Sequence, residues 1–272
     1  MPVVEAPFYD QFPGFEGGYT PNGIFVLVRI DPVASVAVLE DEETTRAAAA
    51  LGTHGWVLGA ITGFLGGMIL EPGGKLTMSL RLSLFGQGPP SDKPIASIPV
   101  SPAPQIYDDR PPLELDAPLP WPNIYAHTNH STSLIISRIH HGSARIEATL
   151  TEAQRKDLCI RGMKDQRNWH NLPPVTVPEE PVDPLYVYSN MPEPSEENED
   201  DDTDEDQDSF LGQEMEDMGA KIAKLRIYGE ICTDPSMYPG PLGAPCELPE
   251  PVRRIREFVV HLISLYGLIL TL

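Results

Sequence analysis

Apolar and polar positions alternate most clearly over residues 76–84, where Leu76, Met78, Leu80, Leu82 and Leu84 are interleaved with Thr77, Ser79, Arg81 and Ser83. A period of two sends the two sets to opposite faces of an extended chain, so this segment predicts a half-buried β-strand. The run IFVLVRI at 24–30 is short, apolar and β-branched, which also favours a strand, and Ser35 to Leu39 predicts a second. SLIISRI at 133–139 predicts another strand, turning at His141-Gly142 into the alternating Ala144, Ile146, Ala148 and Leu150. DLCIRG at 157–162 reads as a short further run, and alternation resumes from Ala220 through Ala223, Leu225, Ile227 and Gly229. Asp41 to Thr45 followed by Ala47 to Leu51 has the acids and capping residues of a helix start.

Two apolar stretches raise the question of a membrane. GWVLGAITGFLGGMIL, residues 55–70, carries Gly55, Gly59, Gly63 and Gly67 at four-residue spacing, which on a helix would form a face for close packing. It has sixteen residues against the roughly twenty that span a bilayer, and each glycine weakens a helix by about 1 kcal/mol. Glycine-rich strands ending at Phe64 to Leu70 are the expectation. The tail FVVHLISLYGLILTL follows Arg253, Arg254 and Arg256 and is fifteen residues long, with His261 and Ser264 inside it. It predicts a short C-terminal helix packed on the domain or on a neighbouring subunit; the alternative is a tail anchor.

Composition changes this picture mainly through charge. Thirty prolines and twenty-two glycines predict much loop, especially over the Pro-rich residues 87–122. The net charge is −21, and ten carboxylates lie within the thirteen residues 196–208: Glu196, Glu197, Glu199, Asp200, Asp201, Asp202, Asp204, Glu205, Asp206 and Asp208. Ionised carboxylates without partners lose several kcal/mol on desolvation and repel one another. The tract is therefore expected in a disordered, solvated loop over 163–218, with a strongly negative potential. Such a surface repels nucleic-acid phosphate and attracts basic partners. Cys159, Cys232 and Cys246 are odd in number and widely spaced, giving neither a disulfide framework nor a metal-ligand pattern. MPVVEAPFYDQF lacks the basic and apolar regions of a secretory signal.

Catalytic chemistry finds little to build on. His140-His141 sits in a turn signal; His127 and His130 could share a metal, but no further ligands accompany them. The aspartates lack the glycine and terminal glutamate of an EF-hand, and there is no GxSxG, P-loop or GxGxxG motif. No cofactor and no enzymatic activity are expected.

Three stretches taken together resemble a nucleoplasmin-like domain of the kind found at the N-terminus of nucleolar peptidyl-prolyl isomerases. GGMILEPGGK (66–75) is similar to that family's opening strand and turn, residues 133–162 to its later hairpin, and AKLRIYGEI (223–231) to its closing strand. The likeness covers 62–162 and 218–233; Leu65 stands where the family commonly has Trp, although Trp56 is near, and the 87–122 loop is long. The resemblance implies a mainly β, antiparallel jelly-roll sandwich assembling as a homopentamer. It also implies histone chaperoning in the nucleus, including the nucleolus, with core histones or other basic proteins bound by the ten carboxylates named above. On this reading residues 1–60 are an N-terminal extension whose strands are left unplaced, 61–233 the β domain interrupted by the acidic loop 163–218, and 234–272 a Pro-rich linker with the apolar tail. The competing reading is a small membrane-associated protein held by the C-terminal tail, the 55–70 segment, or both.

Overall fold

A computed structural model describes residues 3–5, 22–51, 55–70, 76–168, 217–218, 220–222, 224–238 and 240–265, with backbone alone for 3–5, 64–70, 76–78 and 261–265. The chain is mainly β. Its strands are β1 (Val3–Glu5), β2 (Phe25–Ile30), β3 (Val57–Leu70), β4 (Leu76–Gln87), β5 (Ser97–Pro99), β6 (Ile124–His140) and β7 (Tyr228–Cys232). Helices α1 (Pro32–Val36), α2 (Glu42–Ala50), α3 (Glu152–Arg167) and α4 (Pro249–Leu265) accompany them.

Five strands close on themselves in the order β2-β3-β4-β6-β7, with β7 paired back to β2. The seventeen-residue β6 makes closure possible. Its first two thirds pair with β4 on one edge, and its last residues pair with β7 on the other. β1 and β5 extend the two edges of β6 outside this ring. Register shifts in the β3–β4 pair, between Ile61 and Gly63 and between Leu65 and Met68, supply the local bending that a small barrel requires.

The alternation in β4 divides inside from outside. Leu80, Leu82 and Leu84 are fully buried and meet Val26 and Val28 of β2, Ile61 of β3, Leu134 and Ile136 of β6 and Ile231 of β7 in one cluster. Arg81 and Ser83 point the other way, towards solvent. Gly59 leaves room at this inner face, since a Cβ there would lie 3.3 Å from Leu82 and 3.5 Å from Val28. Leu248, just before α4, Ile255 on it, Val36 from α1, Leu39 from the turn after it and Ala48 from α2 complete the cluster. A second cluster covers part of the outer face, where Phe25, Leu27, Leu58 and Phe85 meet Ile146, Ala148, Leu150 and Leu158.

Several expectations are corrected here. The sheet is a single closed barrel containing a parallel pair, β6–β7, in place of a wholly antiparallel jelly-roll sandwich. β2 and the start of β3 belong to the barrel, so the β domain begins before residue 61. Ser35 to Leu39 is helical because Asp31 caps α1 by accepting from Ala34 N at 3.0 Å and Pro32 opens its first turn. Asp157 to Gly162 lies within α3, whose start is fixed by a reciprocal capping box between Thr151 and Gln154. Residues 163–167, expected in the acidic loop, are the last turns of that helix.

Residues 144–150 are extended with Ile146, Ala148 and Leu150 buried, but they join no strand beyond one bridge, Ile24 to Thr149. They dock through Gly23, whose carbonyl accepts from Leu150 N at 2.9 Å. Gly23 has φ +92°, and a Cβ there would sit 2.3 Å from the Leu150 carbonyl oxygen. Gly23→Ala is accordingly expected to cost about 2–3 kcal/mol, combining left-handed strain with a backbone clash, and a lowered urea midpoint is the check.

Candidate functional site

All ten carboxylates of residues 196–208 lie outside the described residues. What the structure fixes is where their segment is anchored. Two parallel neighbouring strands cannot be joined by a tight turn and need a crossover. In this chain the crossover from β6 to β7 is residues 141–227: it passes through α3, ends its described part at Asn168, and is described again from Asp217. The segment is therefore flanked in the chain by two barrel strands, β6 before it and β7 after it.

The return point is itself acidic. Glu40, Asp41, Glu42 and Glu43 are consecutive, grouped where Glu40 adopts a left-handed backbone (φ 55°) between α1 and α2. Asp41 caps α2, its Oδ2 accepting from Thr44 N at 2.6 Å, and those Thr44 hydrogen bonds hold its carboxyl below the ordinary value. Glu42 and Glu43 are exposed in the first helical turn, where negative charge is favoured. Lys221 ties this run to the returning chain, with Nζ 2.8 Å from Glu40 and 2.9 Å from Asp217. Its hydrogen bonds to Glu40 and then Asp217 raise its pKa. In the sequence, Asp208 at the end of the tract precedes Asp217 by nine positions.

Two other charged centres are paired internally, although the Nε of Arg110 is buried without an acceptor. Glu230, 4 % exposed, accepts from Arg29 Nη2 at 2.6 Å and Nε at 2.9 Å, from His140 Nε2 at 2.8 Å and from Arg138 at 3.1 Å. Trp56 covers it, with the Arg29 guanidinium 4.5 Å over its ring and His140 edge-on at 5.5 Å. Burial alone would raise the Glu230 carboxyl, but the hydrogen bonds and charges of Arg29 and His140 outweigh it and hold it below its ordinary value. The second centre is a bidentate pair, Arg110 to Asp165 at 2.8 and 2.6 Å, with Thr128 also donating to Asp165.

The histidines occupy different environments. His127 is buried, and its Nε2 donates to the Gly88 carbonyl at 2.9 Å, leaving Nδ1 as a buried acceptor. Burial pushes its pKa down to about 4. His130 packs edge-on to it at 5.7 Å and is lowered in the same direction by burial. His140 serves Glu230, while His141 is lowered by burial and by Arg145 and His140. Among the described residues no three metal-ligating side chains converge.

None of the described helices is long and apolar enough to cross a membrane. On α4 the arginines that a tail anchor would set beside a bilayer pair along the helix: Arg253 and Arg254 both engage Glu250 and Glu257. The opposite face, with Ile255 buried, packs on the barrel interior. Comparison with protein families, with curated proteins and with solved structures gives no match for this chain.

Proposed function

We propose that this chain binds basic proteins through its carboxylate tract, acting without catalysis as a histone chaperone in the manner of the nucleoplasmin-like proteins, with core histones as partners and the nucleus as its place of action. The observation that carries this reading is ten carboxylates in thirteen residues, set within the crossover between two neighbouring barrel strands and returning beside Glu40–Glu43. A histone presents lysine and arginine at high density, and a carboxylate tract meets them with many screened contacts of about 0–1 kcal/mol each. Summed over ten charges, and multiplied in an oligomer, these give useful affinity with rapid local exchange. Neutralising the basic residues also removes the counterion-release drive for nonspecific deposition on DNA.

Deleting residues 196–208 is expected to weaken binding of core histones at least tenfold near 150 mM salt and to flatten its salt dependence. Titration of the full chain and the deletion against histones over a salt series measures both. Equal affinities would place the binding elsewhere. Light scattering tests the assembly, with a pentamer as the expected species.

A further inference from the structure

Helix α3 lies across the outer barrel face in an unusual way. Of its sixteen residues only Leu158 and Asp165 are buried, and the sheet surface it faces is polar. A helix that is polar all round gains little from packing. Besides Leu158 in the outer cluster, it is held by discrete fastenings: Gln154 Nε2 donating to the Glu114 carbonyl at 2.6 Å, the Arg110–Asp165 pair, the Thr128 hydroxyl on Asp165, and a close approach at Gly162, where a Cβ would lie 2.7 Å from the Thr128 carbonyl oxygen. These hold the helix over the sheet with a cleft of about 560 Å³ between them.

The walls of this cleft are cationic and hydroxylated. Arg81, Ser83 and Ser131 line it from the strands, and Arg155, Lys156 and Gln166 from the helix. Glu152 contributes its one carboxylate, and that is engaged by Lys156 at 2.6 Å. Among the described residues Arg81 makes no ion pair, and Arg155 acts only through its charge on the same Glu152 that Lys156 engages. In a chain of net charge −21, two arginines and a lysine against one carboxylate give this cleft a local reversal of sign.

We infer that the cleft between α3 and the outer face of β3, β4 and β6 binds a compact oxyanion of the phosphate monoester class, with Arg81 and Arg155 as its principal ligands. A planar guanidinium presents paired donors that match phosphate oxygens, and the serine hydroxyls and Lys156 supply the remaining hydrogen bonds. The volume falls in the usual range for small-molecule sites. No aromatic ring lines the cleft, so the walls provide no platform for stacking a base.

The test is calorimetric titration of the full chain with inorganic phosphate and with glycerol phosphate, each at constant ionic strength against chloride. Saturable binding is expected, weakened about tenfold by Arg155→Gln and by Arg81→Gln and unchanged by Arg46→Gln on α2. Arg81 is exposed, so its variant reports binding even if Arg155→Gln fails to fold. The exposed Cys159 also lines the cleft, and glycerol phosphate should slow its alkylation while leaving Cys246 unaffected. Three results would overturn the assignment: no binding beyond chloride, unaltered affinity in Arg81→Gln, or tighter binding of a polyglutamate peptide than of either phosphate.

Discussion

Glu230→Ala is expected to destabilise the protein by about 3–5 kcal/mol, the range found when one partner of a buried ion pair is removed and the other is left behind. The reason is positional as well as electrostatic. β7 has only five residues, yet it alone joins β2 to β6 and so closes the barrel. Its outward-facing Glu230 reaches Arg29 on β2 in one direction and Arg138 and His140 on β6 in the other. Truncation strands the Arg29 guanidinium against Trp56 with its main partner gone. Glu230→Gln keeps an acceptor and most of the volume, and should cost less. Urea denaturation of the two variants is the measurement, and a loss below about 1 kcal/mol in Glu230→Ala would show that closure does not depend on this carboxylate. The pH dependence has a definite sign. A carboxyl held low in the folded state contributes stability that is present above its unfolded value of 4.5 and is lost as pH falls through the lower, folded value. The alanine variant should lose that acid limb.

The second large effect is an acid sensitivity that sets in earlier. His127 falls from 6.5 to about 4 on folding, because burial disfavours its charged form; the Gly88 hydrogen bond opposes the shift only in part. Between those two values the unfolded chain binds a proton that the folded protein excludes, so stability rises with pH across this window. Acidification from pH 7 to pH 4 should therefore remove about 3 kcal/mol through this one imidazole. Denaturant midpoints taken at intervals from pH 7 to pH 5, above the range where carboxylates titrate, would isolate the histidines. His127→Gln retains a donor for the Gly88 carbonyl and removes the titrating ring, so the slope should flatten, with the remainder belonging to His130 and His141. An unchanged slope would assign the acid sensitivity to another group.

The legibility of the fold divides along physical lines. Alternation reports which face of an extended segment is buried, and it does so correctly for Leu80, Leu82 and Leu84 and for Ile146, Ala148 and Leu150 alike. It does not report hydrogen-bond partners, so the first set is a barrel strand and the second an unpaired extension. The chain after the acidic segment does rejoin the sheet beside β6, but residues 220–222, read as alternating, are helical, and the pairing with β6 is confined to Tyr228–Cys232 and is parallel. A parallel neighbour leaves no local trace in sequence. Two misread helices did carry signals: Asp31-Pro32 is a cap followed by proline, and Thr151-Glu152-Ala153-Gln154 spells a capping box. The carboxylate tract was visible as charge alone. The cationic cleft was not, because Arg81 and Arg155 are brought together only by the docking of α3.

Barrel closure by its last strand also orders events during synthesis. Arg29 and Glu230 stand 201 positions apart, so the seam between β2 and β7 is among the most distant pairings in the chain. Contacts of such separation form slowly. While a ribosome is still making the region before Tyr228, the edges of β2 and β6 that β7 will occupy have no permanent neighbour, and unpaired edges invite association with other chains. A nascent polypeptide arrested before residue 228 should thus be a better substrate for cellular holdases than one released at full length.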